Sequence, residues 1–338
     1  SNNISRTRKF VSQPGKEGLQ EACWVVTEGA AGMENQALGL AERLGLPVIR
    51  KRATLAPPWR WPAPRSFGNA MGHLADGSDP LETPWPRLVI GCGRQSVPLV
   101  TAIKRASGGR TLVVQCQHPR TGLAKFDLVI PPEHDGLTGP NVFPILGSPN
   151  RITAEKLIQM HNQFAGRFES IRAPRLAVLI GGHSRAYPFG EDDVAALVSA
   201  LHKITKSLGL MVLTSRRTGT ANIQRIKSAL AGTDAYFWDK AGENPYLGVL
   251  AWADAFLVTA DSVNMACEAA ATGKPVHIFP LHGGSAKFTM FHRELERRGI
   301  SRTFKGQIEQ WRYTPLDETG RAAQRIKSLL TRSEPPPI

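Results

Sequence analysis

An α/β protein with parallel sheets is the fold class this sequence predicts, and three observations predict it. Short runs rich in Val, Ile and Leu recur without polar alternation, which is how strands buried on both faces read. Longer helical patterns separate them, so strand and helix alternate as βαβ units require. The alternation occurs twice, on either side of one helical stretch at 151–172. Two Rossmann-like lobes facing a cleft follow from that doubling. A chain of 338 residues with 41% hydrophobic content can fill two such cores.

The first lobe, 21–150, opens at CWVVT (23–27), turns through EGAAGMENQ (28–36) and enters the helix ALGLAERLG (37–45). Strands are expected at VIRKR (48–52), LVIGC (88–92), TLVVQC (111–116) and DLVIPP (127–132), with NVFPI (141–145) closing the set. A proline- and tryptophan-rich insertion, 55–86, lies between the second and third strands. The second lobe, 173–304, begins at RLAVLIGG (175–182) and a helix around DDVAALVSALHKI (192–204). Its further strands are LMVLTS (210–215), AYFWD (235–239), AFLVTA (255–260) and VHIFP (276–280). The segment 305–338 holds a last amphipathic helix, ETGRAAQRIKSLL, before the loose SEPPPI, and residues 1–20 read as a flexible basic tail.

Composition narrows the partners. With 42 Lys+Arg against 28 Asp+Glu the net charge is +14, which favours anionic partners such as phosphates or acidic lipid. Nucleic acid is not expected, because no zinc-finger spacing, RNP-type motif or basic helical stripe accompanies the charge. Cys23, Cys92, Cys116 and Cys267 form no CxxC pair, so they read as core thiols of a reducing compartment. LGVLAWADAFLV is interrupted by Asp254, and no stretch reaches transmembrane length. The N-terminal residues lack the apolar region of a secretory signal. A cytoplasmic protein is the expectation.

Open α/β sheets bind ligands where strand carboxyl ends meet helix amino ends. In the second lobe those ends read GGHSRAY, TSRRTGT, WDKAGENPYLG and TADSVNMACE. Gly181 and Gly182 let backbone amides approach an anion, and Ser184 adds a hydroxyl. Arg216 and Arg217, next to Thr214 and Ser215, offer the planar fork that grips phosphate. Ser262 begins a helix whose partial positive end suits phosphate, with Thr259, Asp261 and Met265 around it. Glu268 falls near the second turn of that helix, where a carboxylate could accept from ribose hydroxyls. Asn244 and Tyr246 mark the third strand end. Together these suit a nucleotide diphosphate. Taken singly, Asp261–Ser262 reads equally as a helix N-cap, and Asn244–Pro245 as an ordinary turn. GGHSRA approaches a hydrolase nucleophile elbow, but Tyr187, Pro188, Phe189 and Gly190 intervene before any helix. His277, His282 and His292 lack ligand spacing, so no metal is expected.

TSRRT, ENPYLG and VTADSVNMACEAAATGKPV resemble the plant mitochondrial-fission "elongated mitochondria" family and its bacterial relatives, which are regarded as glycosyltransferases of the GT-B fold. TEGAAGMENQALGL, PPEHDG and WRYTPLDET are similar to it too, so the likeness spans about residues 22–330. EAAATGKPV is more distantly similar to the donor lobe of the N-acetylglucosaminyltransferase that makes lipid II. The resemblance implies nucleotide and diphosphate contacts at Arg216, Asn244, Asp261, Ser262 and Glu268, with no metal required. The family's first turn commonly reads Asp-Gly-x-x-Gly-His, whereas Glu28 and Met33 replace the Asp and the His here.

The first lobe is then expected to hold the acceptor, at Gly29, Gly32, Asn35, Gln36 and Arg94, and a general base. Glu28, Glu34, His118 and the pair His134–Asp135 are the candidates for that base. His134 has the natural pKa, with Asp135 or a backbone carbonyl as its orienter. Trp59, Trp61 and Phe67 among arginines suit an anionic membrane interface presenting a lipid-linked acceptor. A packed irregular loop accounts for them as well. The expected function is transfer of a sugar from a nucleotide-sugar donor to a lipid-linked or envelope acceptor, at the inner membrane face. A sugar-nucleotide epimerase and a non-catalytic membrane-recruited adaptor are the alternatives.

Overall fold

A computed structural model describes residues 18–65 and 68–333; Phe67 and both chain ends lie outside them. The chain forms β1 (Gln20–Thr27), α1 (Ala31–Ala41), β2 (Val48–Arg52), β3 (Pro86–Cys92), α2 (Ser96–Ala106), β4 (Leu112–Cys116) and β5 (Leu128–Ile130). These strands make a parallel sheet in the order β2-β1-β3-β4-β5. The buried Cys23–Val26 and Leu88–Ile90 runs explain why: strands apolar on both faces need helices on both.

Helices α3 (Ala154–Gln163) and α4 (Ala165–Phe168) bridge to the second lobe. There follow β6 (Arg175–Ile180), α5 (Glu191–Ile204), β7 (Gly209–Thr214), α6 (Thr220–Ala229) and β8 (Tyr236–Phe237). The chain continues through α7 (Tyr246–Trp252), β9 (Ala255–Thr259), α8 (Val263–Ala270), β10 (Val276–Phe279), α9 (Ala286–Arg297), β11 (Ser301–Thr303) and α10 (Glu318–Arg332). The second sheet runs β11-β10-β9-β6-β7-β8, all parallel. Both strand orders are doubly wound, with switch points between β1 and β3 and between β6 and β9. Two Rossmann-like lobes face a cleft, the GT-B-like arrangement.

Local differences have physical reasons. NVFPI forms no strand; it lies beside β5 through isolated bridges Val129↔Val142 and Pro132↔Ile145, because Pro144 has no N–H to continue a ladder. Helix α1 starts at Ala31, so Gly32, Asn35 and Gln36 sit on a helix and not in a turn. The polar β11 at the sheet edge carries no apolar signal. The strand expected at 235–239 narrows to Tyr236–Phe237.

The lobes are joined twice. Beyond the bridge, α10 returns to the first lobe, where Ala322, Ala323, Ile326 and Leu330 pack into its core. Asp317 meets Arg43 at 2.9 Å, the Glu318 carboxylate accepts the Leu146 N–H, and Thr319 accepts the Asn150 N–H. Helix α1 lies so close to that crossing that a Cβ on Gly39 would stand 2.2 Å from the Asn150 carbonyl oxygen. Among the described residues no helix is long and apolar enough to cross a membrane.

The strap from β11 to α10 is fastened by His277, which is fully buried on β10. Its Nδ1 faces the Phe256 carbonyl (3.1 Å) and its Nε2 accepts the Glu309 N–H (2.9 Å), which fixes a neutral ring with its proton on Nδ1. Trp311 packs edge-on against the ring, and Arg302 lies over Trp311. Burial holds the His277 pKa below 6.5. The folded state then resists a proton that the unfolded state accepts. This contribution is present above pH ~6.5 and is lost as pH falls below it. Denaturant titrations at pH 7.5 and 5.5 should show the stability gap between wild type and His277→Gln shrinking at the lower pH; a constant gap would contradict the assignment.

Candidate functional site

The second-lobe site is organised by a carboxylate. Asp261 ends the loop after β9, at the switch point beside β6, and its side chain is 0% exposed. Its Oδ2 accepts the Gly182 N–H at 3.0 Å and meets the Arg217 guanidinium at 2.7 Å. The Gly181 N–H donates to the Thr259 hydroxyl (2.8 Å), and the Gly181 carbonyl accepts from Ser215 (2.9 Å) and from Thr218. A Cβ on Gly182 would stand 2.0 Å from the Arg217 carbonyl oxygen, and Gly182 has φ 158, so the two loops close on each other only over glycine.

This corrects several expected roles. The Gly181 and Gly182 amides are spent on Thr259 and Asp261, so they are not anion ligands. Arg217 belongs to Asp261, leaving Arg216 as the exposed guanidinium without a partner among the described residues. Ser184 closes a turn with Tyr187, accepting its N–H at 3.2 Å. The Thr214 hydroxyl is buried and unpartnered, and the Met265 side chain packs on the core. Ser262 caps α8 by accepting the Met265 N–H at 3.3 Å. The Val263 and Asn264 amides have no acceptor among the described residues and stand at the cleft. From behind, His292 holds the same loop, its Nε2 lying 2.7 Å from the Ala260 carbonyl. Burial lowers the His292 pKa and favours the neutral ring.

Two cavities flank the contact between the lobes. The smaller, about 260 Å³, is lined by Gln36, Gln117, His118, Arg120, His134 and, across the cleft, Asn264. Gln117 and Arg120 adopt left-handed backbone (φ 72 and 54), a strained geometry that concentrates at functional sites. The His134 ring stands edge-on to Phe291, its Nδ1 is buried without a partner, and burial lowers its pKa. Asp135 does not orient it. That carboxylate is taken by Lys287 of α9 at 3.0 Å, beside the Glu133–Arg298 pair.

Other first-lobe candidates divide similarly. Glu28 is exposed at the end of β1, and Gly29 follows it with φ 96. Glu34 is buried between Arg50 (3.1 Å) and Arg52 (3.3 Å), a structural ion cluster and not a base. His118 accepts the Arg120 N–H through Nδ1. Arg94 donates to the Ala63 carbonyl (2.7 Å), so it clamps the insertion instead of facing an acceptor. Gly32 lies opposite Asn264 across the lobe contact. Within the insertion Trp59 stacks on His73 at 3.8 Å, while Trp61 is 69% exposed.

The larger cavity, about 570 Å³, lies between α3, α7 and Glu268, with Asn35 reaching it from the first lobe. Asn244 starts α7 by accepting the Tyr246 N–H (3.0 Å) and lines the same space. The Tyr246 hydroxyl donates to Glu268 at 2.9 Å. Burial pushes the Glu268 carboxyl up to about 7, partly offset by that hydrogen bond. Burial and the adjacent carboxyl raise the Tyr246 phenol well above its usual range, so it remains a donor. Among the described residues no group of three or more His, Cys, Asp or Glu is placed to hold a metal ion.

The family model described as mitochondrial fission ELM1 matches residues 31–330. The mitochondrial fission protein ELM1 of Arabidopsis thaliana is 32% identical over 72% of this chain, and the match spans 64% of its own length. An uncharacterized protein of Rickettsia prowazekii, RP120, is 28% identical over 91% of this chain and 98% of its own. Among solved structures, a UDP-GlcNAc 2-epimerase from Methanocaldococcus jannaschii is 13% identical with TM-score 0.49, covering 73% of this chain and 77% of that one.

The Asp261–Arg217 pair makes an asymmetric prediction. Arg217→Ala leaves a buried carboxylate without its cation and should cost about 2–3 kcal/mol, at or below the low end of the buried-pair range because the guanidinium is partly solvated. Asp261→Asn keeps an acceptor for Gly182 and should cost less, and adding it to Arg217→Ala should restore stability. Denaturant titration of the three variants checks this; equal single costs that add would contradict it.

Proposed function

The chain belongs to the mitochondrial fission ELM1 family, and on that footing we propose that it transfers a sugar from a nucleotide-sugar donor to a hydroxyl acceptor in the interlobe cleft. One observation carries the reading: the amino end of α8 faces His134 and Gln36 across a single cavity, while Glu268, one turn further along α8, faces a second cavity large enough for a nucleoside. The diphosphate would lie at the Val263 and Asn264 amides, with Arg216 closing over it. Helix amides and a guanidinium stabilise negative charge as it develops on a leaving group. Glu268 would accept from the ribose hydroxyls, in the place the family resemblance implies.

In this scheme the acceptor oxygen bonds to the anomeric carbon as the bond from that carbon to the diphosphate oxygen breaks. The electron pair leaves with the nucleoside diphosphate, and the acceptor hydroxyl proton passes to a neutral base. His134 suits that role because burial keeps it unprotonated and it lines the acceptor-side cavity. Glu28, exposed at the end of β1, is the second candidate. The scheme invokes no metal ion. A lipid-linked acceptor would approach past Trp61, where an exposed indole stands between Arg60 and Arg65. Such residues suit the anionic inner face of a membrane. An epimerase would convert its donor with no acceptor present, and an adaptor would tolerate loss of Arg216 and Glu268.

Calorimetry with UDP, CDP, GDP and ADP between pH 6 and 8.5 tests the donor site. With Glu268 titrating at about 7, the accepting carboxylate is lost below that pH, so affinity should fall as pH falls and should become flat in Glu268→Gln. Arg216→Ala should weaken binding roughly tenfold or more at every pH, as loss of a charge-assisted hydrogen bond does. Failure of all four nucleotides to bind, or undiminished binding by Arg216→Ala, would contradict the proposal.

A further inference from the structure

The larger cavity has a wall that the donor scheme leaves unused. Ile152, Lys156, Gln159, Met160, Gln163 and Phe164 all line it. From Lys156 onward the spacing of three and four residues puts them on one face of α3, with Ile152 just before its amino end. Ile152, Met160 and Phe164 are buried and, with Leu247 of α7, give the cavity an apolar floor. The polar members run beside that floor.

Their bonding states differ. Gln163 is held by Glu243 at 2.6 Å. Arg151, the other cation at the cavity wall, is paired with Glu42 at 2.6 Å. The Lys156 ammonium and the Gln159 amide have no side-chain partner among the described residues. Lys156 is half-buried and forms no ion pair with Glu268, although both line the cavity. An ammonium with three donors and no acceptor of its own, set beside an apolar floor, fits a flat ring that carries an outward carbonyl oxygen.

We propose that the bridging helix reads the base of the bound nucleotide, and that Lys156 selects bases presenting a carbonyl oxygen over those presenting an amino group. The proposal rests on the donor site described above and adds its base class. An ammonium donates to the edge oxygen of uracil or guanine. At the corresponding position cytosine and adenine present an amino group, which is itself a donor and meets the ammonium donor to donor. The volume, about 570 Å³, is within the range of small-molecule sites. The ring would lie on Met160, Phe164 and Leu247, with Gln159 able to donate or accept beside it.

Calorimetric affinities of UDP, CDP, GDP and ADP for wild type, Lys156→Met and Glu268→Gln test it, with thermal melts confirming that each variant folds. The wild type should favour UDP over CDP, and GDP over ADP, by roughly tenfold or more. Lys156→Met should weaken UDP and GDP, leave CDP and ADP within about twofold, and so collapse both ratios. Glu268→Gln should weaken all four and preserve the ratios. Ratios that persist in Lys156→Met, a wild type without the preference, or a uniform loss across the four nucleotides (Lys156 then meeting phosphate) would each overturn base reading and leave the donor site standing. Failure of every nucleotide to bind wild type would overturn the donor site, and base reading with it.

Discussion

A buried carboxylate at the switch point of the second sheet holds the cleft-facing loops in their places. Asp261 receives a backbone amide from the loop after β6 and a guanidinium from the loop after β7, while its own loop leads directly into α8. Strands β6 and β9 are neighbours whose crossovers leave in opposite directions, so a doubly wound sheet opens a crevice between their ends. The loops also bond to one another directly, through the Thr259, Ser215 and Thr218 hydroxyls at Gly181, and the carboxylate adds the charged tie among them. An ionised side chain with no exposure would be very costly there unless paired, and the pairing ties both loops to it. Glycine at 181 and 182 lets the backbone come that close. Where α8 points is a consequence.

A second constraint acts between the lobes. The bridge through α3 and the return through α10 cross the same region, and the segment 146–151 is stitched to α10 through Glu318 and Thr319. Asp135–Lys287 and Glu133–Arg298 add ion pairs between the first-lobe turn and α9. Partly exposed pairs such as these contribute little individually. Their use is positional: they set which side chains face α8 across the cleft, and His134 is among them.

Much of this was legible in the residues. Continuous apolar runs mark β1, β3, β4, β6, β7, β9 and β10 because a strand buried on both faces leaves no polar position. The four strand-end loops stood out by composition; those after β6, β7 and β9 meet around Asp261, and the one after β8 meets α8 through Tyr246 and Glu268. What composition could not show is who bonds to whom. Two adjacent glycines and two adjacent arginines look alike whether they face a ligand or each other, and here Gly181, Gly182 and Arg217 face the protein while Arg216 does not. Asp135 likewise looked like the natural partner of His134, yet chain adjacency says nothing about Lys287, which lies on another lobe. Left-handed Gln117 and Arg120 carry no glycine to announce them. The wall formed by α3 was hidden because its residues read as an ordinary amphipathic bridge. A helix face has meaning only once its neighbour is known.

Amide hydrogen exchange at residues 181–185 and 216–219, in wild type and in Asp261→Ala, tests the central claim most directly. If the buried carboxylate holds these loops, both segments should lose protection together in the variant, while β1 and β3 in the first lobe exchange as before. Protection retained in both segments would show that the loops stand without Asp261, and would contradict the account.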